Sequence, residues 1–159
     1  MSDDLLVRPL EPSDTDEAAA VWWRSRHADS SLPPAIHTAE QVAKWFADVL
    51  LPDGETWVAV DDGRIVAVLT LDGDDLDQLY VAPDATGQGI GSLLVDLAKD
   101  LRPGGLALWT FQTNLRAQSF YRRHGFHEVR RTDGAANEER APDVRMVWGN
   151  HSEADPAQT

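Results

Sequence analysis

The chain has 159 residues, enough for one domain with a sizeable core. Cysteine is absent, which excludes disulfides, thiolate metal sites and a cysteine nucleophile. Acidic residues outnumber basic ones 27 to 14, and the formal charge of −13 repels nucleic acid and anionic membranes while favouring cationic partners such as amines. Much of that acidic surface serves solubility, and a local cluster of backbone N–H groups can still hold an anion. The first residues show no basic region followed by an apolar run, so no signal peptide is expected. No apolar stretch approaches the roughly 18 residues that cross a bilayer, and a cytoplasmic location is expected.

In chain order, residues 5–9 read as a short strand. Ser13 with Asp16 three positions later predicts a capping box, opening a helix to about Arg26. Residues 28–36, with Ser30, Ser31 and the pair Pro33-Pro34, predict a loop. Thr38 and Gln41 predict a second capping box. Behind it Val42, Trp45, Phe46, Val49 and Leu50 fall on one face of a helix. Residues 56–60 and 64–71 read as strands joined by the turn Asp61-Asp62-Gly63. Residues 77–81 form another strand, ending at Pro83. A helix follows with Ile90, Leu93, Leu94, Leu97 and Leu101 on one face, and Pro103-Gly104-Gly105 stops it. Residues 106–111 are a strand, Asn114 to about Arg123 a short helix closed by Gly125, and 126–130 and 144–148 two last strands. Residues 1–149 thus predict a single domain, and the polar tail 150–159 predicts disorder. The order β-α-α-β-β-β-α-β-α-β-β is an α/β mixture with helices crossing a central sheet, without strict βαβ alternation.

The segment between residues 81 and 91 carries the most chemistry. Gly87, Gly89 and Gly91 let the backbone turn sharply and bring N–H groups to a ligand without interference from Cβ. The helix N-terminus adds unpaired N–H groups and about half a positive charge. Together they suit a pyrophosphate, against the plainer alternative of a tight strand-to-helix turn. A dinucleotide fingerprint does not fit, because Ser92 follows Gly91 and no acid stands near Phe111 and Gln112. A P-loop does not fit either, because the loop has no lysine.

The pattern of Val81, Pro83, Gly87, Gly89, Ile90, Gly91 and Leu94 closely resembles the acetyl-CoA-binding motif of the GNAT acetyltransferase superfamily. Downstream, Asn114, Ala117, Phe120, Tyr121, Gly125 and Phe126 resemble that family's second signature, in the same order and spacing. With the hairpin and helix pair upstream, the resemblance covers about residues 5–148. Thr86 departs from it: the family usually has Arg or Gln there, although a hydroxyl can still donate one hydrogen bond.

The resemblance implies an α/β (α+β) fold: a central mixed, mostly antiparallel sheet of about seven strands with four helices, splayed between the fourth and fifth strands. It implies acetyl-CoA as co-substrate and no metal. The N–H groups of Gly87, Gln88, Gly89, Ile90 and Gly91 would hold the pyrophosphate, with Thr86 and Ser92 beside them. Leu79, Tyr80 and Val81 would pair with the pantetheine arm as an added strand does, and an N–H near Val81 would polarise the thioester carbonyl. Ala117 and Phe120 would flank the arm. Asn114 would contact it, cap its helix, or do both.

Tyr121 matches the family's tyrosine that protonates the departing sulfur; the alternative is a core aromatic beside Phe120. Asp77 stands where many relatives place the base, with strand alternation putting it on one face with Leu79 and Val81. It could instead belong to a solvated acidic rim with Asp72, Asp74 and Asp75. His37, Glu138 and Glu139 are reserve bases. Acceptor selection falls to the first two helices, the 28–36 loop, Trp109 and the 133–142 loop, so His37, Trp109, Glu138 and Glu139 are candidate substrate residues. Trp22, Trp23 and Trp45 read as core. The implied activity is direct acetyl transfer, in a ternary complex, to a primary amine of a small molecule or a protein. The alternatives are a non-catalytic acyl-CoA sensor module and an unrelated nucleotide-binding domain. Relatives often dimerise through edge strands, so a homodimer is compatible with the resemblance.

Overall fold

Residues Ile65 to Leu71 are buried without a break, and they make strand β3 (Arg64–Asp72) the central strand of the sheet, covered on both faces. The computed structural model describes residues 4–153. The other strands are β1 (Leu5–Pro9), β2 (Glu55–Asp61), β4 (Asp75–Val81), β5 (Gly105–Phe111), β6 (His127–Thr132) and β7 (Asp143–Gly149). They form one seven-stranded sheet in the order β1-β2-β3-β4-β5-β7-β6, antiparallel throughout except for β4 beside β5. The mixed, mostly antiparallel sheet is therefore as expected. The β2–β3 hairpin turns through Asp62 and Gly63, both at positive φ (51° and 77°), the backbone that a two-residue type I′ turn requires.

Helix α1 (Thr15–Ala28) and helix α2 (Ala39–Trp45) pack together, with α1 across β3 and β4. Helix α3 (Ile90–Leu101) covers β3, β4 and β5. Side chains alternate along a strand: Gln78 of β4 meets Trp22 of α1, while Val81 lies beside Gly91 of α3. The two helices therefore lie on opposite faces of β4. The short α4 (Leu115–Arg123) packs Phe120 against Gly91. Leu94, Val95 and Ala98 of α3 and Leu69, Leu106, Leu108 and Met146 of the sheet are buried in the core.

Local chemistry at three places differs from the expectation. The box at Ser13 and Asp16 is replaced by a tight turn at Pro12–Asp14, and Asp14 takes the N-cap position of α1. The Asp14 side chain makes no capping bond to α1; it closes the turn before it, its carboxylate accepting two guanidinium bonds from Arg8 (2.6 and 3.1 Å) and the Glu11 N–H (2.8 Å). The second box is present, with Gln41 N–H donating to Thr38 Oγ1 (3.1 Å) and Thr38 N–H to Gln41 Oε1 (2.8 Å). After α2, however, the helix widens into a π-helical turn at Phe46–Leu50 before its last turn at Leu51–Asp53. The wider turn shifts the register. Val42, Phe46 and Leu50 are buried, whereas Val49, expected on the same face, is 44% exposed. Third, residues 151–153 fold back onto the sheet, where Glu153 accepts from Arg145 of β7 (2.5 and 3.2 Å) and His151 (2.7 Å). The start of the expected disordered tail is thus held by a buried arginine; residues 154–159 lie outside the described residues.

Candidate active site

β4 and β5 run parallel yet share a single register pair, Asp75 with Ala107, and then part. The junction is pinned from the far side of β5, because Arg145 on β7 grips both carboxylate oxygens of Asp75 (3.0 and 2.9 Å). Beyond it the strands leave a wedge. Ala82 N–H bonds Val66 O on β3 (2.7 Å), so by strand alternation the N–H groups of Leu79 and Val81 point the other way, into the gap. The gap opens into a cleft of ≈ 780 Å³ that includes Leu79, Tyr80 and Val81, the glycine loop, Asn114, Ala117, Phe120 and Tyr121.

The glycine loop has the backbone its sequence demands. Gly87 and Gly89 stand at φ 78° and 83°, and an added Cβ at either would meet nothing within 4 Å, so the positions need glycine for conformation and face open space. At Gly91 the reason is contact, since a Cβ would lie 3.3 Å from the Phe120 ring. Gly89 caps α3, whose first N–H groups turn toward the cleft wall formed by Gly89, Ile90, Gly91 and Ser92. Across the cleft, Tyr121 is buried and lined up with Phe120 and Phe126 (ring centroids 5.2 and 5.5 Å). Its hydroxyl has no hydrogen-bond partner among the described residues, and burial, helped by nearby Tyr80, pushes its pKa well above the ordinary phenol value.

Comparison with known proteins fits this geometry. A family profile described as acetyltransferase (GNAT) domain matches residues 52–128. Peptidyl-lysine N-acetyltransferase YjaB of Salmonella typhimurium is 33% identical over 128 residues, covering 80% of this chain and 86% of that protein. The chain belongs to the GNAT acetyltransferase family. Among other GNAT relatives, peptidyl-lysine N-acetyltransferase YiaC of Escherichia coli is 34% identical over 83 residues, covering 52% of this chain and 56% of that protein. The solution structure of apo-form YjaB from Escherichia coli superposes with a TM-score of 0.74 at 26% identity, over 91% of this chain and 97% of that one.

Within this GNAT wedge the predicted residues divide by wall. On the side of the glycine loop, Thr86, Gly87, Gly89, Ile90, Gly91 and Ser92 line the cleft, and Gln88 is exposed beside them. The Thr86 hydroxyl is already engaged, donating to Pro83 O (3.2 Å). Ser92 Oγ bonds His124 Nε2 (3.0 Å), a histidine whose pKa is lowered by burial and by Lys99. Asn114 caps α4 by accepting the Ala117 N–H at Oδ1 (3.1 Å), which leaves its amide nitrogen free at the cleft. Two cations that the sequence reading passed over, Arg116 and Arg123 of α4, also line it. Their signal was available: they are arginines on one short helix of a strongly acidic chain. Ser25, also passed over, donates to Val81 O (2.9 Å), a contact across 56 positions that no local pattern announces.

Asp77, which like His37, Glu138 and Glu139 is not among the residues lining the cleft, does not alternate with Leu79 and Val81 as expected. It is the extra residue of a β-bulge, since Thr70 faces Gln78 and Leu71 faces Leu76. Its carboxylate reaches solvent and accepts from Gln78 Nε2 (3.3 Å), and surrounding protein, with Asp72 and Asp75, raises its pKa despite that bond. Gln78 Oε1 in turn accepts from Trp22 Nε1 (3.0 Å). His37 and Glu138, predicted separately, meet each other: Nε2 and Oε2 are 3.1 Å apart, joining the loop before α2 to the loop after β6. Glu139 lies 4.0 Å from Nη2 of Arg26, a buried arginine with that nitrogen free of hydrogen bonds and its guanidinium 5.6 Å from the Phe111 ring. The loop bearing the two glutamates is tied by Asn137, which bonds Ala141 O (2.7 Å), Asp143 Oδ2 (3.1 Å) and the Ala141 N–H (3.1 Å). Trp109 stands apart from the cleft lining, its ring between the guanidinium groups of Arg130 and Arg145 (5.1 and 5.2 Å). Trp22, Trp23 and Trp45 pack against the core, as read from the sequence. Among the described residues no cluster of three or more metal-ligating side chains occurs, and no helix is long and apolar enough to cross a membrane.

Proposed function

We propose that this chain acetylates the side-chain amine of protein lysines, with acetyl-CoA as donor. The parted strands carry the reading: an interior strand edge, with the N–H groups of Leu79 and Val81 turned into the gap, suits an extended amide-bearing arm added beside β4. The residues present fit acetyl-CoA. Open space over Gly87 and Gly89 admits a pyrophosphate, and Arg116 and Arg123 offer charge to the phosphates where Thr86 offers none. The donor supplies an activated acetyl group: the C–N bond forms as the C–S bond breaks, and the amide and the free thiol leave.

The chain's own groups handle the protons. A lysine enters as ammonium, and Asp77, with its pKa raised, takes one proton directly or through water and returns it to solvent. The second nitrogen proton replaces the one that Tyr121 delivers to the leaving sulfur. The Val81 N–H faces the position where negative charge develops. Lysine is favoured as acceptor because Asp29 lines the cleft and, with Asp77 and Glu139, surrounds Tyr80 with negative charge, and because YjaB and YiaC are named for peptidyl-lysine.

The test has two readouts. Acetyl-CoA, but neither NAD nor ATP, should raise the melting temperature, by roughly 5–10 °C at about 100 times Kd. Lysine peptides should then release CoA thiol, measured without background because the chain has no cysteine. Stabilisation without release would point to the sensor module, and no stabilisation at millimolar acetyl-CoA would sink the transferase reading.

A further inference from the structure

The chain has two tyrosines, and both line the cleft. Tyr121 is absorbed by the donor chemistry; Tyr80 is not. Its backbone belongs to the strand that faces the donor, but its side chain leaves on the α1 face, where it lies against Trp22 (ring centroids 5.5 Å). Trp22 is itself held by Gln78 and by the Trp45 ring at 6.3 Å, so the ring that the phenol packs against is fixed in place. No described residue bonds its hydroxyl, although buried tyrosine hydroxyls usually find a partner. Tyr80 thus lines the cleft with a hydroxyl that no described residue engages.

The charges around the two phenols differ. The field at Tyr121 has one titratable neighbour of note, Tyr80. At Tyr80 the charged neighbours are Arg26, Glu139, Asp77 and Asp29, of which Asp29 lines the cleft with it. Tyr80 thus stands between the glycine-loop side of the cleft and those charges. We propose that the Tyr80 hydroxyl holds the incoming amine, accepting a hydrogen bond from one of its N–H groups while Asp77 takes the proton, so that the nitrogen lone pair turns into the wedge. The assignment rests on the lysine acetylation reading above.

A phenol suits this position better than another carboxylate. Burial pushes its pKa up to about 12, so it stays neutral through the working range. A carboxylate touching the amine would stabilise the ammonium form and oppose deprotonation. A neutral oxygen accepts an N–H with much less of that penalty, and the task of drawing off the proton is left to Asp77.

Tyr80→Phe keeps the ring against Trp22 and removes only the hydroxyl. In the full-length chain, with a lysine peptide as acceptor and CoA thiol release as readout, kcat/KM for the peptide should fall about 10- to 100-fold. The KM for acetyl-CoA and the melting temperature should stay as in the wild type. Unchanged peptide kcat/KM overturns the assignment, and so does a loss confined to the acetyl-CoA KM, which would place the hydroxyl on the donor. A lower melting temperature would reveal a structural partner and overturn it as well. Absence of thiol release from the wild-type chain sinks the lysine reading and Tyr80 with it, a failure separable from a silent Tyr80→Phe.

Discussion

The two walls of the cleft are built by different means. The proposed donor wall comes from two short stretches, 79–92 and 114–123, and presents backbone: turned glycines, the first turn of α3, and strand N–H groups left unpaired by the splay. The proposed acceptor wall draws on side chains delivered by α1, the loop before α2, the bulge of β4 and the loop after β6, with partners as far apart as His37 and Glu138, 101 positions in the chain. Backbone sites constrain φ and so constrain residue type locally. Side-chain sites need only that distant segments meet, and many sequences satisfy that.

Four substitutions would sharpen or break this division. Tyr121→Phe should have the largest effect, a fall in kcat of about 10²–10³-fold, with the acetyl-CoA thermal shift retained. An unchanged kcat would reduce the donor wall to a binding surface. Asp77→Asn should cost about 10–10²-fold in kcat/KM. It should also erase the acid limb of the pH profile: with a raised pKa the carboxylate is the active form only above a midpoint higher than an ordinary aspartate's, and activity falls as pH drops through it. A limb that survives in Asp77→Asn would pass the role of base to another group.

Gly89→Ala puts a side chain at φ 83° and should cost about 1–2 kcal/mol of stability. It should weaken acetyl-CoA in a titration while the peptide KM holds, and a change in the peptide KM alone would contradict the separation of walls. Glu153→Gln, remote from both walls, should cost about 1 kcal/mol, seen as a melting temperature a few degrees lower at neutral pH. Arg145 holds the Glu153 pKa near about 2 in the folded chain. A depressed carboxylate stabilises above its unfolded value, so the difference between wild type and variant should vanish as pH falls from the usual glutamate range toward 2. A difference that persists at low pH would assign the contact to packing.

Much of this molecule was legible residue by residue. Apolar periodicity gives the order of strands and helices, Asp62-Gly63 gives the first hairpin, and three alternate glycines give the donor loop, because each is a local demand on φ, on a hydrogen bond or on one buried face. Tertiary structure alone decided the remainder. Arg8 reached across to hold Asp14 in the tight turn that replaces the expected box at Ser13, and a π-helical turn moved Val49 to the surface. A bulge re-aimed Asp77, and Arg145 tied down Glu153. It also paired His37 with Glu138, set Arg26 beside Glu139 and turned the two tyrosines toward opposite walls of one cleft. These outcomes depend on contacts between segments far apart in the chain, whose energies are comparable to the local preferences they override, and no spacing within the sequence records them.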